Sequence, residues 1–120
     1  MNILSKLFGQ KPAEPQPVEH AVIVAFGYGS TDLSPLFSLE SQLTDAIGAA
    51  SVGEFDGNEV AADGSDGVLY MYGPDADQLF AVVRPVLESV QFMHGARAKL
   101  RYGPPQDGVR EQTIVLSVQP

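Results

Sequence analysis

Apolar and polar positions divide this 120-residue chain into blocks whose spacing predicts the element types. Ala21 to Phe26 is a continuous apolar run closed by Gly27-Tyr28-Gly29. A short, β-branched, glycine-bounded run of this kind suits a central strand. Leu36, Leu39, Leu43, Ile47 and Ala50 recur at helical spacing and predict an amphipathic helix over 35–49. Ser34-Pro35 marks its start, with Ser as the cap and Pro where a missing N–H removes nothing. Val52 to Ala61 alternates loosely, residues 63–67 form an Asp/Gly-rich turn, and Val68 to Tyr72 is β-rich, so 52–72 reads as a hairpin.

Gly73-Pro74-Asp75-Ala76-Asp77 is the clearest helix start, with Gly73 as cap, Pro74 in the first position and two carboxylates at the positive end of the dipole. Ala76, Leu79, Phe80, Val83, Val86, Leu87 and Val90 form the stripe behind it, and Gly95 ends it. Pro85 interrupts this pattern, because it lacks an N–H and crowds the preceding turn; a kink or a break is expected there. Ala96 to Tyr102 alternates again, 103–108 is a Gly/Pro loop, and Thr113 to Val118 is a last strand.

The resulting order, β-α-β-β-α-β plus a terminal strand, predicts an α+β fold: a ferredoxin-like βαββαβ sandwich with two helices on one face of an antiparallel sheet. The expected strand order is 4-1-3-2, with the fifth strand beside the fourth. A three-layer α/β fold is the alternative, and the short glycine-rich hairpin argues against it. Before the domain, residues 1–19 form a short peptide, apolar at Ile3, Leu4, Leu7 and Phe8, followed by a proline-rich linker. The domain itself spans 20–120.

Three stretches resemble an uncharacterised family of small bacterial proteins: Asp56-Gly57-Asn58-Glu59, Tyr70-Met71-Tyr72-Gly73-Pro74-Asp75-Ala76-Asp77, and Arg101-Tyr102-Gly103-Pro104-Pro105. The resemblance covers residues 50–105 and implies no activity, cofactor or partner.

Charge narrows the function classes. Seven Lys+Arg stand against 15 Asp+Glu, for a net charge of −8, and the pI is near 4.4. Nucleic-acid binding needs a cationic surplus and is not expected. With no cysteine, disulfides, thiolate metal sites and thiol nucleophiles are excluded, which fits a cytoplasmic setting. No apolar run reaches the length of a membrane span. Residues 1–8 leave only a weak surface or partner anchor.

No Lys or Arg occurs from Ala21 to Val83, while Arg84, Arg97, Lys99, Arg101 and Arg110 follow. Strand alternation puts Arg97, Lys99 and Arg101 on one face, and Tyr70 and Tyr72 on the same open face. These five residues form the expected binding surface, because Tyr and Arg are enriched at interaction hot spots. An acidic and a basic side suit self-pairing about a twofold axis, so a homodimer is the expected partner state, with another protein as the alternative partner.

Candidates for chemistry are weaker. Asp56, Asn58, Glu59, Asp63 and Asp66 crowd one hairpin and carry the oxygen ligands a divalent cation takes, but their spacing departs from the calcium loop and Asp and Asn are ordinary turn residues. Gly27–Thr31 could cradle a phosphate, yet Asp32 stands where a dinucleotide fingerprint needs glycine. His20 and His94 have no metal spacing and no paired nucleophile, although His94 suits a helix C-terminus when protonated. Glu54 and Asp56, two apart, lack the shielded site a general acid needs. The expectation is a non-catalytic, cofactor-free interaction module. A small-molecule or cation module using the open face or the acidic hairpin is the alternative.

Overall fold

The computed structural model describes residues 19–119. The anchor peptide and all but the last residue of the linker therefore lie outside the described residues. The elements run β1 (His20–Gly27), α1 (Ser34–Ala50), β2 (Glu54–Val60), β3 (Asp66–Gly73), α2 (Ala76–Leu87), a 3-10 turn at Gln91–Met93, β4 (Arg97–Arg101) and β5 (Glu111–Val115). The strands form one antiparallel sheet in the order β2-β3-β1-β4-β5. The fold is α+β.

Both helices cover the same face of the sheet. Val22, Val24 and Phe26 of β1, Leu69 and Met71 of β3, and Ala98 and Leu100 of β4 point into the core. Leu36, Leu39, Leu43 and Ile47 of α1 meet them, beside Leu79, Phe80, Val83 and Leu87 of α2. Each fully buried leucine contributes about 1.5–3 kcal/mol, so these stripes fix which way every strand faces.

The helix ends differ from expectation. At α1 the cap position falls to Leu33, whose side chain offers no acceptor, and Asp32 instead accepts the Ser34 N–H at 3.0 Å. Ser34 therefore does not cap. At α2 the cap is Asp75, whose carboxylate accepts from the N–H groups of Asp77 and Gln78 at 2.9 and 3.1 Å. Gly73 belongs to β3 instead, and its lack of a Cβ matters there: one would sit 2.2 Å from the Val52 carbonyl oxygen.

Pro85 leaves α2 in one piece, because it falls in the last turn and the carbonyl it deprives, on Ala81, is at the exposed surface. The helix then stops at Leu87, short of Gly95, and the chain re-forms only the 3-10 turn. The last strand spans 111–115 instead of 113–118. Leu116 and Val118 are buried beyond its end, where Glu88 and His94 accept the Ser117 and Val118 N–H groups.

Candidate binding surface

The face of the sheet opposite the helices is built by strand alternation, and register lines its side chains into three cross-strand rows. The first runs Glu54, Tyr72, Ala21, Arg101, Glu111. The second runs Gly57, Tyr70, Ile23, Lys99, Thr113, and the third Glu59, Val68, Ala25, Arg97, Val115. Acidic residues thus stand on β2, aromatic and aliphatic ones on β3 and β1, and basic ones on β4.

The structure brings Tyr70, Tyr72, Arg97 and Lys99 onto this face. Arg101 is also on it but is not exposed: it is 8% accessible, and its Nε donates to the Gly103 carbonyl at 2.7 Å. Its place in an exposed stripe is thereby corrected. The cause is the 102–110 connection, whose Pro105 folds back beside Arg101. Pro105 and Arg101 are shared by two shallow grooves, one reaching Glu19, Glu54, Asp56 and Tyr72, the other reaching Ile23, Lys99 and Glu111. Ala21, in the same row, has no exposed surface. The first row is therefore closed at its middle, with Glu54 and Glu111 exposed at its ends, and the continuous open area lies along the second and third rows.

Polar contacts on these rows are local. The Tyr70 hydroxyl donates to Glu59 Oε1 at 2.5 Å, and that bond, with some burial, raises the phenol above its ordinary value. Lys99 and Glu111 form a loose pair at 3.9 Å with both side chains a little under half exposed, a contact of small energetic weight. Val115 remains 58% exposed on β5.

The connection that covers Arg101 is held from the other side. Tyr102 donates to Asp77 Oδ1 at 2.7 Å, the Gln112 amide lies 3.1 Å away, and the Arg110 guanidinium sits 4.1 Å from the ring centre. Burial first, then the Asp77 carboxylate, raises the Tyr102 phenol above its usual value. His20 meets the same ring edge-on, and its Nδ1 accepts the Ala76 N–H at 3.0 Å. No pattern in the sequence marked this strap, because each partner of Tyr102 lies eight residues or more away along the chain.

The candidates for chemistry are placed apart or already occupied. Asn58 points to the helix side and donates to Glu40 at 2.5 Å, Glu59 serves Tyr70, and Asp63 accepts the Ser65 N–H at 2.9 Å. Among the described residues no three His, Cys, Asp or Glu are arranged to hold a metal ion. In the 27–31 loop, the N–H of Tyr28 is taken by the Ser65 carbonyl, and those of Gly29 and Ser30 by the Gly64 carbonyl, so they do not face an anion. His94 Nδ1 accepts the Val118 N–H at 3.0 Å; it braces the C-terminal segment rather than a helix dipole. None of the helices among the described residues is long and apolar enough to cross a membrane.

The edges of the sheet carry a contrast that sequence reading missed. β2 is acidic and has a register shift between Phe55 and Gly57. β5 has neither bulge nor proline within its five residues. The signal was present in Glu-Gln-Thr-Ile-Val, a strand-like run without Lys or Pro, but the expected strand starts two residues and ends three residues too late to show it. No protein-family model, curated protein or solved structure matches the chain.

Proposed function

We propose that this protein is a non-catalytic interaction module that associates with a second copy of itself through the uncovered side of its sheet, by face or by edge. The observation that carries this reading is the one-sided cover: two helices shield one face, while Tyr70, Val68 and Ile23 line the other between the acidic β2 and the basic β4, with Val115 beyond them on β5. Read from its other edge, the strand order is β5-β4-β1-β3-β2. That order supports the finer assignment of a ferredoxin-like sandwich with an added fifth strand.

Sedimentation velocity across a concentration series tests the reading. The expected result is a species of twice the chain mass that grows with concentration. A single-chain mass throughout, in both low and high salt, overturns it. The salt response separates the two routes. A face contact between β2 of one copy and β4 of the other weakens as salt rises, whereas a ladder of backbone hydrogen bonds at an edge does not.

A further inference from the structure

Resting on that reading of self-association, we infer that the contact is the β5 edge, paired antiparallel with β5 of a second copy about a twofold axis at Thr113. The hydrogen-bond phase of the sheet leads to this register. On either side of the β4–β5 ladder, Tyr102 N–H bonds the Arg110 carbonyl and Leu116 N–H bonds the Ala96 carbonyl. Antiparallel strands alternate between bonded and non-bonded pairs. The even-numbered residues of β5, Gln112 and Ile114, therefore spend their backbone groups on Leu100 and Ala98. Glu111, Thr113 and Val115 turn both N–H and C=O away from β4, toward the edge of the sheet, where no other strand among the described residues pairs.

With the axis at Thr113, Glu111 meets Val115 of the other copy, and Thr113 meets its own counterpart. All three outward residues are then hydrogen-bonded, two bonds to each pair. Sliding the strands by one residue either way about the axis leaves at least one of the three beyond the partner strand. No like charges face each other directly, and Val115, 58% exposed alone, gains a neighbour. A twofold axis normal to the sheet keeps both open faces on one side and both helix layers on the other.

The opposite edge does not compete. Glu54, Asp56 and Glu59 charge it, and the Phe55/Gly57 irregularity breaks its register. These are the devices by which sheets resist edge pairing. They also block head-to-tail pairing of β5 with β2 of another copy, which would build an open chain instead of a closed pair. A five-residue contact is small, so the pair belongs with weak, transient associations.

The absence of native cysteine makes the test direct. Single variants Thr113→Cys, Tyr70→Cys and Ser41→Cys report the edge, the open face and the outer surface of α1. Under mild oxidation, Thr113→Cys is expected to form a disulfide-linked pair at least tenfold faster than the other two. Thr113→Pro removes only an outward N–H, so it should keep the native circular dichroism and lose the sedimenting pair. Fast linkage of Tyr70→Cys with slow linkage of Thr113→Cys overturns the edge and leaves self-association standing. Slow linkage of all three with a single-chain mass overturns both. Protection of the Thr113 amide from hydrogen exchange at concentrations where only single chains sediment places another part of the same chain on the edge, and also overturns the inference.

Discussion

Asp75 shows how one side chain sets the start of an element. Its carboxylate takes the second and third free N–H groups of α2, those of Asp77 and Gln78, while the first, on Ala76, goes to His20. Asp75→Ala should lower the unfolding free energy by about 1 kcal/mol, measured in urea with an unchanged slope. Proline and acid residues made this helix start legible from sequence, but they misplaced the cap by two positions because Gly73 was needed by the strand. His20 and His94 were not legible at all: each accepts a backbone N–H from a segment at least 24 residues away. Glu40 adds a pH dependence. Burial, opposed by the Asn58 bond, raises its carboxyl above the ordinary range. The folded state thus holds that proton more tightly than the unfolded chain, so this group's stabilising contribution is full at low pH and falls as pH rises through the raised value. Glu40→Gln keeps an acceptor for Asn58 and removes the titration. The stability of the variant relative to the natural protein should rise between about pH 4 and pH 7, followed by urea unfolding at each pH.

Among the elements, the strands that bury apolar side chains announced themselves and the loops did not. β1 and β3 are specified by Val22, Val24, Leu69 and Met71, which can face only the helices. β5 carries just one partly buried side chain, Ile114, so its pattern is faint and its boundaries were misread. The β2–β3 turn has a role beyond reversing the chain. The Gly64 carbonyl receives the N–H groups of Gly29 and Ser30, fastening this turn to the loop that leads into α1. Gly64 itself has φ near +74°, and a Cβ there would lie 2.0 Å from the Ser30 carbonyl oxygen. Gly64→Ala should therefore destabilise by about 2 kcal/mol or more, since left-handed strain and a backbone clash add. The denaturation midpoint checks this, and a midpoint equal to the natural protein's contradicts the fastening.

At the scale of the whole molecule, charge and cover are segregated. The two helices take one side of the sheet, the acidic residues gather on β2, and the basic ones on β4. The expected surface of Tyr70, Tyr72, Arg97, Lys99 and Arg101 was legible as a face, because alternation alone assigns it. It was not legible that the loop after β4 would turn back beside Arg101, whose Nε bonds Gly103, since the path of a loop follows from distant contacts such as Tyr102 with Asp77. Three strands separate the charge of β2 from any contact at the β5 edge. Sedimentation equilibrium of the full chain, from micromolar to millimolar concentration at low and high salt, decides whether two copies pair through the β5 edge. A concentration-dependent rise to the mass of two chains, with the same midpoint at both salts, is expected. A mass of one chain over the whole range contradicts it.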